Sequence, residues 1–223
     1  RLEEVDCVNA NLLWSIYKVM KIKNYNETIP YIIIDDYYDE VELQLIWEEL
    51  EFLSYPIKLK RATEKSGGAV TNGKLVKQNF HRYIDNIYSD RELSNILAVN
   101  RKLFIDDMGM MKQHGHWFFK NINFTHDWTQ VGYYENNDNY GSHKDSAVIT
   151  SLTWLHKEPK RYTGGNLFLD GEIEIECVNN RTLIFPSMIT HEVTPVQLEE
   201  KYCNQRLGRY CISQFCWADM ENH

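Results

Sequence analysis

Tyr140-Gly141-Ser142-His143-Lys144-Asp145 decides the fold, and it is answered downstream by Pro186-Ser187-Met188-Ile189-Thr190-His191-Glu192-Val193. In an extended strand residues i and i+2 project to the same side, so His143 and Asp145 can reach one metal while Lys144 faces away. The third ligand is best sought in His191. It lies forty-six positions after Asp145 and opens a short apolar segment (Val193, Pro195, Val196) suited to lie beside the first strand in a barrel. Two imidazoles and one carboxylate on one face of a metal leave the opposite positions open.

A His-x-Asp spacing is common by chance, and the chain's ending gives it weight. Gly208-Arg209-Tyr210-Cys211-Ile212-Ser213-Gln214-Phe215-Cys216-Trp217 is an apolar strand with an arginine at its mouth. An inward cation must be paired, because a buried unpaired charge is too costly to keep. The guanidinium fork suits a carboxylate, and period two places the small side chains of Cys211 and Ser213 beside it, leaving room for a ligand. A metal triad with a carboxylate-binding arginine is what 2-oxoglutarate chemistry requires.

Six pieces of the chain, in order, are similar to the Fe(II)/2-oxoglutarate-dependent dioxygenases, and within them to the prolyl 4-hydroxylase branch. They are Gln130-Val131-Gly132-Tyr133-Tyr134-Glu135, Tyr140 to Asp145, Thr163-Gly164-Gly165-Asn166-Leu167-Phe168-Leu169, Leu183-Ile184-Phe185-Pro186, His191 to Val196 and Arg209-Tyr210-Cys211-Ile212. The resemblance implies a mostly β fold with supporting N-terminal helices around a double-stranded β-helix core, jelly-roll or cupin-like. It implies Fe(II) on His143, Asp145 and His191, with 2-oxoglutarate as cosubstrate, O2 as oxidant and ascorbate supporting activity. The distal carboxylate of 2-oxoglutarate falls to Arg209. This residue lies further from His191 than the family's basic residue usually does, while Lys201 sits at the usual distance, and Arg206 is a third candidate. Tyr134 matches a tyrosine that holds the cosubstrate in many relatives, and Trp154 stands where some have another tyrosine. The implied reaction hydroxylates a C–H bond and releases succinate and CO2, with prolyl 4-hydroxylation of a polypeptide foremost. Free proline, another amino acid or a small metabolite is the alternative.

Two rivals are set apart by single residues. Nucleic-acid repair enzymes of the same superfamily need a second arginine where this chain has Phe215, and halogenases lack the carboxylate that Asp145 supplies. From another class, a cupin-like isomerase or binding module would use the metal without a carboxylate clamp, so Arg209 separates it from the dioxygenase reading.

Length and composition are consistent with one domain over residues 1–223, with helical support and a flap over 1–127 and the β core over 128–217. Of the 223 residues 43% are hydrophobic and 13% aromatic, ample for a core, and the net charge of −8 argues against nucleic acid or an anionic membrane as partner. Five cysteines form no metal-binding pattern and read as reduced thiols in a cytoplasmic protein, and no segment has the length of a membrane span.

Along the chain, Leu12, Leu13, Ile16, Tyr17 and Met20 predict a helix within 1–25, and Tyr31 to Tyr37 a short buried strand. Asp39 with Glu42 predicts a capping box before a helix carrying Leu43, Ile46, Trp47, Leu50 and Leu53. Ser89 with Glu92 suggests a second capping box, before a helix carrying Leu93, Ile96, Leu97 and Leu103. Between these helices Lys58, Lys60, Arg61, Lys65, Lys74 and Lys77 surround Gly67-Gly68 and Asn72-Gly73, a hairpin signal. This basic run reads either as a solvated face or, by resemblance, as a mobile flap over residues 54–80 that receives a polypeptide substrate. His81, His114, His116, His126 and His156 lack a partner at ligand spacing apart from His114-x-His116, which reads as a solvated loop.

Overall fold

Alternation of apolar residues with period two builds a sheet that is covered on both faces. Along Tyr31–Asp35, Ile32 and Ile34 pack against the helices while Tyr31 and Ile33 pack into the barrel interior. The strand Ile149–Leu155 is buried at every position, as a central strand between two layers must be. The computed structural model describes residues 20–218 except 27, 55–57, 64–69 and 72.

Among the described residues the larger sheet has eight antiparallel strands, in the order Lys21–Tyr25, Tyr31–Asp35, Arg181–Pro186, Ile149–Leu155, Arg209–Trp217, His126–Tyr134, Phe80–Tyr83 and Lys60–Arg61. The smaller sheet has five, ordered Ile173–Ile175, Leu167–Leu169, His191–Val193, Asn139–His143 and Lys77–Gln78. Leu152, Trp154, Leu183 and Phe185 of the larger sheet share one buried cluster with Leu167, Leu169 and Val193 of the smaller one. Strands from before residue 128 lie at both edges of the larger sheet and at one edge of the smaller.

The helices cover the outer face of the larger sheet. Glu40–Leu53 starts on the expected capping box of Asp39 and Glu42 and buries Ile46, Leu50 and Leu53 against Ile32 and Ile34. Its buried Glu49 accepts hydrogen bonds from the Ser94 hydroxyl and the Ile96 N–H, tying it to the start of the helix Asn95–Asn100. Among the described residues no helix is long and apolar enough to cross a membrane.

Several local expectations need correction. Residues 21–25 are an edge strand paired with Tyr31–Asp35, so no helix extends to 25; the remainder of that expected helix lies outside the described residues apart from Met20. Ser94, not Ser89, caps the second helix, and Leu93 is exposed in a separate turn capped by Asp90. The capping-box spacing at Ser89 was outcompeted because Ser94 satisfies the Leu97 N–H while its own hydroxyl reaches Glu49. His114 is fully buried against Phe119 instead of lying in a solvated loop, because the preceding helix Met108–Gln113 carries it inward.

Candidate active site

His143 ends the strand Asn139–His143, His191 begins the strand His191–Val193, and the two are direct cross-strand partners. Asp145 follows two residues after His143, where its N–H donates to the Ser187 carbonyl at 3.0 Å. The result is a triad of His143, Asp145 and His191 with one ligand atom each, all within 4.8 Å of one another. Nε2 of His143 is 3.7 Å from one Asp145 oxygen, and Nε2 of His191 is 3.4 Å from the other.

Each imidazole is oriented by the same device. Nδ1 of His143 lies 2.8 Å from the Gly141 carbonyl, and Nδ1 of His191 lies 2.9 Å from the Ile189 carbonyl. A carbonyl can only accept, so Nδ1 carries the proton in both rings and Nε2 presents a lone pair to a metal. Tyr140 stacks on His143 with ring centres 3.6 Å apart, and Phe185 meets His191 edge-on at 4.9 Å. Burial, reinforced by the neighbouring His191, pushes His143 down to about 3, so it stays neutral and available as a ligand. Burial pushes the Asp145 carboxyl up, but the two facing imidazoles and the Thr150 hydroxyl together hold it below the ordinary range. The Thr150 hydroxyl donates to Asp145 at 2.7 Å and contacts the Ser187 hydroxyl at 2.8 Å. These supports were not read from the sequence: the two latches are backbone carbonyls with no residue signature, and Thr150 is one ordinary threonine in a buried strand.

Arg209 faces the same pocket as the triad. It is fully buried, its guanidinium carbon lies 4.6 Å from the Tyr134 ring centre and 5.7 Å from that of Trp154, and Nε contacts the Cys177 sulfur at 3.3 Å. Both terminal nitrogens, and the Trp154 indole N–H, are buried without a hydrogen-bond partner. Three orphaned donor groups around one cation fit an acceptor-only group, which is what a carboxylate is. Gly165 makes the space: its φ is +73°, and a Cβ there would stand 2.8 Å from Cδ of Arg209. Burial raises the Tyr134 phenol, so it remains a hydroxyl able to donate. Lys201, by contrast, is exposed and paired with Glu199 at 2.7 Å, and Arg206 lines a separate surface cleft with Ser54 and Phe80.

The basic run of 54–80 divides. Lys60, Arg61 and Lys74 are exposed, and positions 71 and 74 pair in the expected hairpin around Gly73; Lys65, Gly67, Gly68 and Asn72 lie outside the described residues. Lys77 is buried in the active-site pocket, so a solvated reading of the whole run fails at this residue. It was missed because a lysine among lysines carries no sequence mark of burial. His81 and His156 are buried and His126 stacks on Trp217 at the surface, and among the described residues none of them joins the metal set.

Residues 129–217 match the 2OG-Fe(II) oxygenase superfamily, and all three triad residues lie within that stretch. The structure resembles a prolyl-4-hydroxylase from Pseudomonas putida at 14% identity, covering 86% of this chain and 94% of the other with a TM-score of 0.59. A viral collagen prolyl hydroxylase from Paramecium Bursaria Chlorella virus-1 matches at 13% identity, 85% and 96% coverage and a TM-score of 0.54. The α-ketoglutarate-dependent epimerase SnoN of nogalamycin biosynthesis has the same TM-score, 0.54, at 10% identity, over 84% of this chain and 78% of its own. At such identities the likeness is one of fold, a double-stranded β-helix. Residues 129–217 thus carry the fold and the metal triad of an Fe(II)/2-oxoglutarate oxygenase.

Proposed function

We propose that this oxygenase hydroxylates a C–H bond of a prolyl substrate, a polypeptide in the first instance, using 2-oxoglutarate and O2 and supported by ascorbate. The observation that carries the oxygenase chemistry is the pairing, in one pocket, of the triad with an arginine whose terminal nitrogens have no partner. Bound iron would supply the centre at which O2 is reduced by two electrons from 2-oxoglutarate and two from the substrate C–H bond, giving succinate, CO2 and an alcohol. Nε2 of His143, Nε2 of His191 and one Asp145 oxygen would hold it, with Thr150 fixing the carboxylate's orientation. Arg209 takes the distal carboxylate of 2-oxoglutarate, and Tyr134 and Trp154 flank that end as hydrogen-bond donors. Leu152, Leu167 and Val193 line the same pocket and keep water from it.

Support for a prolyl polypeptide comes from aromatic side chains that run from the pocket lining to the surface. Phe215 lines the pocket and leads to Tyr83 at 6.2 Å, which meets the half-exposed Trp128 edge-on at 5.7 Å. Proline-rich chains dock on such aromatic surfaces because their extended conformation costs little further entropy. The basic segment 54–80 ends in a strand hydrogen-bonded beside Asn139–His143, which is where a substrate-receiving flap would sit. The likeness to prolyl hydroxylases adds to this reading, and the epimerase on the same fold is why the reaction needs its own test.

The test is succinate formation by iron-loaded protein given 2-oxoglutarate, ascorbate and air, with and without proline-rich peptides. Wild type should make succinate, peptide should stimulate it, and the peptide should gain the mass of one oxygen atom. His143→Ala should abolish both products. Succinate without oxygen incorporation into any prolyl peptide would refute the substrate assignment, and no iron-dependent succinate would refute the oxygenase chemistry.

A further inference from the structure

Arg209 is not the only cation in the pocket. Lys77 and Asn79 alternate inward with the exposed Gln78 between them, and they are 4% and 2% exposed. Both line the cavity that holds His143, Asp145 and His191. An ammonium has three N–H donors, yet Lys77 makes one hydrogen bond, to the Gln130 amide oxygen, and sits 5.0 Å from the Tyr140 ring centre. No carboxylate lies within ion-pair distance of it among the described residues. Beside it the Asn79 amide oxygen is buried with no hydrogen-bond partner. A buried cation and a buried orphaned acceptor are both costly unless something completes them.

Charge points the same way. Of the side chains lining the pocket only Asp145, Lys77 and Arg209 are formally charged. A dipositive metal offsets the carboxylate and leaves one positive charge, the dianion of 2-oxoglutarate reverses its sign, and Arg209 brings the sum to zero. Lys77 is then the surplus cation.

We propose that Lys77 and Asn79 recognise the primary substrate, Lys77 taking a carboxylate and Asn79 an N–H donor, so that the hydroxylated residue carries its own free carboxylate. This rests on the oxygenase reading above and narrows its substrate class to a free amino acid or the carboxyl end of a chain. The two sources share one chemistry. A residue in the interior of a peptide has no such group to offer.

The experiment compares L-proline, the dipeptide Ala-Pro, their C-terminal amides and an internal prolyl peptide, with wild type, Lys77→Met and Lys77→Arg. Calorimetric binding to manganese-loaded protein is measured first, with and without 2-oxoglutarate, and oxygen incorporation into each compound second. Amidation should weaken binding to wild type by roughly 10- to 100-fold, the worth of a charge-assisted hydrogen bond. Lys77→Met should erase that difference without changing the affinity for 2-oxoglutarate, and Lys77→Arg should keep part of it. The ratio of L-proline to Ala-Pro binding tells the free amino acid from the chain end. Equal binding of acids and amides to wild type would overturn the proposal, as would a Lys77→Met variant that keeps its melting temperature and loses 2-oxoglutarate instead. Since binding is read without turnover, an enzyme that makes no succinate fails the oxygenase reading while leaving this assignment testable.

Discussion

Two arginines open strands of the same eight-stranded sheet, and they differ in what meets them. Arg181, at the head of Arg181–Pro186, sends Nε to one Asp35 oxygen at 2.5 Å and a terminal nitrogen to the other at 3.2 Å. Arg209, at the head of Arg209–Trp217, is more deeply buried, and its terminal nitrogens meet no acceptor. The first is an arginine whose carboxylate the protein itself supplies, so its role is complete in the folded chain. The second has every element of the same fork except the acid, and an interior guanidinium is tolerated only if a ligand provides it. Lys77 belongs with Arg209 by this criterion.

The largest effect should come from Asp145, the one anion facing both unpaired cations. Asp145→Ala removes a metal ligand, and 2-oxoglutarate turnover should fall on the order of a thousandfold or more, with metal binding lost in a calorimetric titration. Next comes Arg209→Met, which should raise the KM for 2-oxoglutarate about a hundredfold or more, read from succinate formation. Arg181→Met should leave that KM where it is, and a matching rise there would dissolve the contrast between the two arginines. Gly165→Ala sharpens the contrast without touching charge. The added methyl meets Arg209 at 2.8 Å on a backbone held at φ +73°, so the melting temperature should drop by the equivalent of about 1–3 kcal/mol and 2-oxoglutarate should bind more weakly.

The same contrast explains how much was legible beforehand. Arg209 was readable because a cation at the head of an apolar strand is anomalous, and period two then named its neighbours Cys211 and Ser213, which line the pocket with it. His143, Asp145 and His191 were readable from the ordered family resemblance and not from spacing alone; the strand ends at His143, Asp145 lies just beyond it, and the pairing His191↔His143 brings the third ligand alongside. Lys77 is chemically as anomalous as Arg209, yet it stands in a short mixed stretch, Lys74-Leu75-Val76-Lys77-Gln78, where nothing local says that the lysine faces inward. Its burial is a consequence of its strand joining the edge of the smaller sheet beside Tyr140, a long-range pairing that composition does not announce. The latches on His143 and His191 were invisible in a deeper sense, since backbone carbonyls supply them. The N-terminal edge strand Lys21–Tyr25 was misread because its residues are exposed throughout and show no alternation. What placed it was pairing with its neighbour, not burial.

The smallest effect should be at the paired arginine, and its sign is fixed by the carboxylate. The hydrogen bond from Arg181 outweighs the upward push of burial and holds Asp35 below its ordinary value of 3.8. A carboxyl whose folded value is depressed contributes stability that is present above its unfolded value and is lost as pH falls through the folded one. Asp35→Asn should therefore lower the melting temperature at neutral pH, by the equivalent of about 1 kcal/mol for a partly exposed pair where the strands Tyr31–Asp35 and Arg181–Pro186 meet at their ends. The gap between variant and wild type should close as the pH drops below about 4. Arg209 has no protein acid to titrate, so Arg209→Met should show no such closing gap in the ligand-free protein. Instead, its difference from wild type should widen on adding 2-oxoglutarate, which stabilises only the chain able to bind it. Thermal melts of both variants against pH and against 2-oxoglutarate separate an arginine that holds the fold from one that awaits a ligand, and a pH-closing gap at Arg209 would show that it too is a structural pair.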